Sequence, residues 1–267
     1  MARRAVEALA EVARESAGES SELIDRLIRA GRELAASRPG VGAVAGAVGR
    51  VLAAAKRQAH LDPEQLQRLV LEEAQALIEA RTRAAASIAI QLRERIEDAV
   101  VLTHSASATV REAFIKTPPA RALCTASHPH EEGRDFAVEL REAGIEADLI
   151  EDDEAPAELA DVSVFLIGAD TVFHDGTLCN KIGTSKLAKA AAEVSVPTVV
   201  ACEVIKLAPV SAEQAPNLPA EIRKLFDLTP PELIEEVVTE EGAFATDEIG
   251  ALVDRTPFLR EGYALLR

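Results

Sequence analysis

Apolar residues recur every three or four positions through the first third of the chain. "AVEALAEVARES", "SSELIDRLIRAGRELAAS", "VGAVAGAVGRVLAAAKR" and "DPEQLQRLVLEEAQALIEARTRAAASIAIQLRERI" each carry that spacing, which predicts amphipathic helices. Arg38-Pro39-Gly40 marks a stop. Asp62-Pro63-Glu64 marks a start, with an N-cap carboxylate followed by a first-turn proline. From Ala99 the pattern changes to short, continuous apolar runs alternating with amphipathic helices: "AVVLT", "RALCT", "EADLI", "VSVFLIGAD", "PTVVACEV" and, near the end, a Pro-punctuated "ELIEEVV". Such strands between helices predict a mostly parallel sheet covered on both faces, hence an α/β chain. The expected division is a helical domain over 1–97 and a sheet domain over 98–267.

Ligands in parallel sheets bind beyond the carboxyl ends of the strands. That rule singles out Thr103-His104-Ser105, Thr125-Ala126-Ser127-His128, Gly168-Ala169-Asp170, and Glu203 with Lys206. Asp170 follows a buried-looking run, where partial desolvation suits a carboxyl to proton transfer; hydrogen bonding to its own loop is the competing role. "NKIGTSKLAKAA" supplies Asn180, a cation at Lys181, a glycine at Gly183, and Thr184 or Ser185 to cap a helix whose free N–H groups attract anions. His174-Asp175 before Gly176 reads as a turn, and "IEDDEAPAE" as a solvated acidic loop. No strand is followed by GxGxxG, so a dinucleotide cofactor is not expected.

Composition narrows the partners. The 267 residues carry a formal charge of -16, which argues against direct nucleic-acid binding. An acidic surface of this kind fits either a salt-adapted protein or a GC-rich genome with an ordinary acidic surface. Three cysteines and five histidines show no metal spacing, so no metal is expected. No apolar stretch is long enough to span a bilayer, which predicts a soluble cytoplasmic protein without a membrane partner.

The succession "SRPGVGAVAGAVGRVL", "VLTHSASATVREAF", "TASHPHEEGRDFAVELREAGIEADLI", "GADTVFHDGTLCNKIGTSKLAKAA" and "ELIEEVVTEEGA" resembles the superfamily of the alpha, beta and delta subunits of translation initiation factor 2B. The same superfamily includes methylthioribose-1-phosphate isomerase and ribose-1,5-bisphosphate isomerase. The resemblance covers roughly residues 36–267 and implies an all-helical N-terminal domain, a Rossmann-like C-terminal domain and a homodimer or higher homo-oligomer. In the isomerases it implies a Cys just after the "LTH" strand end, working with the Asp of "GAD"; here those positions hold Ser105 and Asp170. A serine hydroxyl cannot replace a thiol without a strong base beside it. His128 stands where the resemblance implies an Arg, which removes a bidentate phosphate partner. What remains for an anion is Arg50, Asn180 and Lys181.

These departures lead to the expectation of a regulatory or assembly protein. It would bind a phosphorylated sugar or nucleotide without turnover, and a translation factor is a candidate partner. The alternative is a divergent aldose–ketose isomerase acting on a sugar 1-phosphate such as ribose 1,5-bisphosphate. In that case Cys179, beside Asn180, is the first candidate to stand in for the missing thiol near Asp170, ahead of Cys124.

Overall fold

The computed structural model describes residues 2–15, 18–37, 39–215 and 219–267, and its first four helices fall where the apolar spacing predicts them. They are α1 (Ala2–Arg14), α2 (Ser20–Ala36), α3 (Gly42–Arg57) and α4 (Pro63–Ile96). Of the predicted Arg38-Pro39-Gly40 stop, Arg38 lies outside the described residues, while Pro39 and Gly40 form a turn between α2 and α3. Asp62 caps α4 as its sequence requires, its Oδ1 accepting the Gln65 amide hydrogen at 2.8 Å.

α4 serves two cores. Its first half contributes Leu66, Val70 and Leu77 to the helical core around Leu9, Leu27, Val48 and Val51. Its second half places Ile88, Leu92 and Ile96 against the sheet. A helix of 34 residues is about 50 Å long, enough to span both layers.

After α4 the chain alternates as predicted: β1 (Val100–Thr103), α5 (Ala108–Lys116), β2 (Arg121–Thr125), α6 (Glu132–Glu142), β3 (Ala147–Ile150), the short α7 (Ala155–Glu158) and β4 (Val164–Gly168). Next come β5 (Thr171–Phe173), β6 (Leu178–Lys181), α8 (Thr184–Glu193), β7 (Thr198–Ala201), β8 (Leu207–Ala208), α9 (Ala220–Arg223) and β9 (Phe226–Thr229). The chain finishes with β10 (Glu236–Thr239), β11 (Gly242–Phe244), α10 (Ile249–Asp254) and α11 (Pro257–Leu266).

The main sheet has the order β11-β10-β7-β4-β1-β2-β3, parallel throughout except for β11 against β10. Alternate residues of its strands enter two opposite cores. Leu102, Phe165, Ile167, Val200 and Val237 meet the side covered by α8 and α10. Val101, Val164, Leu166, Val199 and Val238 meet the side covered by α4, α5 and α6. Burial on both faces is why these strands read as unbroken apolar runs.

Two features depart from the sequence expectation. "ELIEEVV" is not one strand: Pro231–Leu233 form a 3-10 turn, and β10 begins only at Glu236, because Pro230 and Pro231 have no N–H to give a ladder. The segment between Asp170 and α8 carries two short strands that the apolar pattern did not single out. It forms the β5–β6 hairpin, turned at Asp175-Gly176, within a second sheet of order β8-β5-β6-β9. Asp-Gly between apolar runs is the signal that could have revealed it.

α11 returns to pack on α3, with Leu265 and Leu266 against the helical core. α3 in turn sits on the loop that follows β7. A Cβ at Gly46 would lie 1.9 Å from the carbonyl oxygen of Ile205, so only glycine admits this approach. Among the described residues, no helix is long and apolar enough to cross a membrane.

Candidate functional site

β1 and β4 are neighbours in the sheet, and the chain leaves them in opposite directions, toward β2 and toward β7. Such a switch point leaves a crevice beyond the strand ends. Here it opens into a cavity of about 780 Å³, roofed by Arg50, Leu77 and Arg81 from α3 and α4.

Asp170 lines this cavity two residues beyond the end of β4. Its backbone is clamped: its N–H donates to the Cys179 carbonyl at 3.2 Å, and its carbonyl accepts the Gly42 amide hydrogen at 3.0 Å. Its carboxyl is left open, because among the described residues no group hydrogen-bonds to it. Burial pushes its pKa up to about 6, opposed by the Lys206 charge and reinforced by Glu132. A carboxyl in this condition can hold or release a proton near neutrality.

Ser105 follows β1 in a left-handed conformation, φ 67°, which is costly for a residue with a Cβ and needs external support. That support is a chain of hydrogen bonds. The Ser105 N–H donates to Ser127 Oγ at 2.7 Å. Ser127 Oγ lies 2.9 Å from Thr125 Oγ1, which lies 2.7 Å from His104 Nδ1. His104 Nε2 reaches the Ile182 carbonyl at 2.9 Å, and since a carbonyl only accepts, the proton sits on Nε2 and Nδ1 accepts from Thr125. Burial keeps the His104 pKa below its ordinary value, against the pull of the Ile182 hydrogen bond, so the ring stays neutral. His104 borders the cavity but spends both nitrogens inside the protein. It positions Ser105 rather than offering a ring nitrogen to a ligand.

The Ser105 hydroxyl donates to Glu132 Oε1 at 2.7 Å, and Lys181 Nζ donates to Glu132 Oε2 at 2.8 Å. All three residues line the cavity with Asp170. Burial raises the Glu132 pKa, but the hydrogen bonds from Lys181 and Ser105 outweigh it and hold the group below the usual carboxylate value. Position in the first turn of α6 favours the negative charge as well. Sequence reasoning did not single out Glu132. The usable signal was its place just past the β2 strand end, within the same "TASHPHEEG" already under scrutiny for His128.

The structure corrects the expected anion cradle at α8. Gly183 has φ 100°, as its sequence context suggests, but its N–H donates to Asp227 Oδ2 at 2.8 Å, and the Ser185 N–H points to the same carboxylate. An anion from the protein itself therefore occupies the N-terminus of α8, and Gly183 does not line the cavity. Thr184 does not cap; its hydroxyl donates to the Lys181 carbonyl at 2.6 Å and faces Asn180 Nδ2 at 3.2 Å. Asn180 and Lys181 do face the cavity, carried by β6. The first turn of α5, Ala108 and Thr109 after the Ser107 cap, opens on it instead.

The other expected residues divide. Arg50 lines the cavity, hydrogen-bonded to Glu73 at 2.6 Å and stacked 5.4 Å over Phe258. His128 does not line it: its ring pairs with Glu151 at 3.2 Å on the surface, and His130 faces the cavity in its place. Cys179 sits in an apolar cluster with Phe173, Ala208 and Val210, away from the cavity. Burial pushes its thiol up to about 12, and the charges of Asp170 and Asp227 add to the effect. Cys124 is likewise buried, with its thiol raised by burial to about 12. Neither can supply a thiolate to the site. Glu203 and Lys206 both rim the cavity, Glu203 lying 3.7 Å from Arg81, while among the described residues Lys206 has no ion-pair partner. His174 and Asp175 form the β5–β6 turn, as the sequence suggests. Among the described residues, no group of His, Cys, Asp and Glu is arranged to hold a metal ion.

The initiation factor 2 subunit family matches residues 1–217. The chain belongs to that family. A ribose 1,5-bisphosphate isomerase of Archaeoglobus fulgidus is 34% identical over 173 residues, covering 56% of this chain and 55% of the relative. A protein of the same name from Haloferax volcanii is 31% identical over 215 residues, covering 71% of this chain and 67% of its own length. A translation initiation factor eIF-2B subunit 2-like protein of Pyrococcus horikoshii is 35% identical over 180 residues, covering 62% of this chain and 64% of its own. The tetrameric eIF2B-beta2-delta2 complex of Chaetomium thermophilum shares the fold, with a TM-score of 0.77 at 22% identity, over 95% of this chain and 87% of the neighbour's.

These findings overturn the expectation of a regulatory or assembly protein without catalysis. Family members named as isomerases, from several archaea, match the chain at 28–34% identity and favour the enzymatic alternative. The physical reason for the earlier expectation was the serine at position 105, judged without the carboxylate that the fold sets beside it.

Proposed function

We propose that this family member is an aldose–ketose isomerase acting on a sugar 1-phosphate, with ribose 1,5-bisphosphate as the first substrate to test. The observation that carries the proposal is Asp170: a half-buried carboxyl, without a hydrogen-bond partner among the described residues, at the switch point of the sheet and with its pKa raised to about 6. The names of the isomerase relatives supply the substrate class.

In a sugar 1-phosphate the anomeric carbon is an acetal, so the ring must open before a carbonyl can move. Opening requires an acid at the ring oxygen, and a protonated Asp170 suits that task. Arg50, Arg81 and Lys206 border the cavity and are among the cations that can bind phosphate oxygens there. The first turn of α5 adds backbone N–H groups and the positive end of its dipole. No cofactor enters this scheme. Self-association into a homodimer or larger homo-oligomer belongs to the proposal and rests on the family resemblance; light scattering tests it.

The test is incubation of the protein with ribose 1,5-bisphosphate and, separately, with methylthioribose 1-phosphate, followed by phosphorus NMR. The expected result is conversion of one of them to its ketose 1-phosphate. Unchanged spectra for both, with a thiol-containing relative turning over in parallel, would refute the proposal.

A further inference from the structure

The residues around Ser105 supply what a serine alone lacks. We propose that Glu132 is the base that moves the carbon-bound proton in this chain, acting from beside Ser105 where the resemblance implies a thiol. The inference rests on the isomerase reading above and adds a catalytic residue to it.

Several observations support Glu132. It lines the same cavity as Asp170, near enough for its charge to act on the Asp170 carboxyl. Its two oxygens are aimed by separate donors, Ser105 Oγ at 2.7 Å and Lys181 Nζ at 2.8 Å. Ser105 is itself fixed by the network running through Ser127, Thr125 and His104. Of the other carboxylates at the rim, Glu240 accepts the Val204 amide hydrogen at 2.9 Å, Glu203 faces Thr109 and Arg81, and Glu241 is exposed to solvent. The environments of Glu132 and Asp170 also separate their roles, the first held ionised and the second raised toward neutrality.

The steps balance. Protonated Asp170 gives its proton to the ring oxygen, and the bond from the anomeric carbon to that oxygen breaks with its electron pair staying on the oxygen. The Glu132 carboxylate takes the proton from the adjacent carbon, C2, and the freed pair forms a double bond to C1, leaving an enol that still carries the phosphate. Glu132 then returns its proton to C1 while the C2 hydroxyl proton passes to the Asp170 carboxylate. The product has a carbonyl at C2 and a CH2 bearing the phosphate at C1. Both residues end as they began, and no oxidant or reductant is involved. Ser105 is a positioning residue in this scheme, since its hydroxyl acts by aiming Glu132.

The experiment compares wild type, Glu132→Gln, Glu132→Asp and Ser105→Ala with ribose 1,5-bisphosphate in heavy water. Turnover is followed by phosphorus NMR, deuterium entry at C1 by proton NMR, and binding by calorimetry. The expected result for Glu132→Gln is loss of turnover and deuterium entry by about 1000-fold, the scale of general-base removal, with Kd within about threefold of wild type. Ser105→Ala should lower kcat by about tenfold and leave KM alone, as expected for lost positioning. Glu132→Asp, which keeps the charge for Lys181 but withdraws the oxygens, should fold normally and lose kcat without a change in KM. It decides the matter if Glu132→Gln does not fold. Turnover of Glu132→Gln within about threefold of wild type would overturn the inference and leave the isomerase reading intact. A rise in KM at constant kcat would also overturn it, because it would make Glu132 only a structural partner of Lys181. A wild type that converts neither sugar phosphate would defeat the isomerase reading, and this inference with it.

Discussion

The Asp227 carboxylate accepts the Gly183 amide hydrogen at 2.8 Å, so the helix start that looks open in sequence is already filled by an anion of the protein. β9 pairs with β6 and delivers Asp227 to this place. Burial raises the Asp227 pKa, while the hydrogen bonds from Gly183 and Ser185 oppose the shift. Asp227→Ala leaves those N–H groups without an acceptor. It should lower stability by about 1–2 kcal/mol, and Asp227→Asn by less, as read from urea midpoints. A midpoint for Asp227→Ala equal to wild type would show that the cap carries no weight.

Asp170 should weaken the fold above pH 6. Its folded pKa, about 6, exceeds the ordinary value of 3.8, so the folded chain binds more protons than the unfolded chain between those values. Stability therefore falls as pH rises through that window, and the full penalty is present above it. The charges that face the group are Lys206, Glu132 and Lys181, and burial outweighs them. Asp170→Asn should be more stable than wild type at pH 7.5, by roughly 1–3 kcal/mol, and no more stable at pH 3.5. Equal differences at both pH values would mean that Asp170 does not titrate in this window.

Catalysis should show the same group. With Asp170 needed protonated, kcat/KM should decline on the alkaline side of about pH 6, and with Glu132 needed ionised, it should decline again in acid below the ordinary carboxylate range. A profile flat from pH 5 to pH 9 would contradict the assignment of Asp170, and the absence of any acid limb below pH 5 would contradict that of Glu132.

His104 contributes with the opposite sign. Burial lowers its folded pKa below the ordinary value of 6.5, so as pH falls through that value the unfolded chain takes up a proton that the folded chain refuses. Stability is lost in acid for this reason. His104→Ala leaves the Ile182 carbonyl without its ring donor and the Thr125 hydroxyl with only Ser127, and should cost about 1–3 kcal/mol. Nitrogen-15 spectra of the ring at pH 7.5 should show a neutral imidazole protonated at Nε2. An imidazolium spectrum would refute the network direction given above.

Gly46 joins the helical region to the loop that carries Glu203 and Lys206. Gly46→Ala places a methyl group on the Ile205 carbonyl and must displace either α3 or that loop. The expected loss is about 1–3 kcal/mol, with weaker sugar phosphate binding because Lys206 moves too. An alanine variant with unchanged melting and binding would show that the contact relaxes freely.

The helices, the strands and Asp170 were legible because each depends on neighbours in sequence. Period and burial show in the apolar pattern, so "RALCT" predicts β2 to the residue, Arg121–Thr125, and the end of "VSVFLIGAD" places Asp170 at a strand end. The β5–β6 hairpin was less visible, because one Asp-Gly between short runs competes with a loop reading of the same residues. Cys179 shows the limit of proximity in sequence. It is adjacent to Asn180, yet neighbouring strand residues point to opposite faces, and its thiol goes into an apolar cluster while Asn180 lines the cavity.

By itself, the sequence determined the helical region, the parallel sheet and the family, because backbone preference and apolar spacing act locally along the chain. Only the tertiary structure decided which charge meets which. Glu132 reaches Ser105 across 27 residues and Lys181 across 49, and Asp227 reaches Gly183 across 44. A carboxylate has the same chemistry wherever it is written in a sequence. Whether it serves as base, cap or surface charge depends on the donors within about 3 Å, and those donors are assembled by strand order rather than by spacing along the chain.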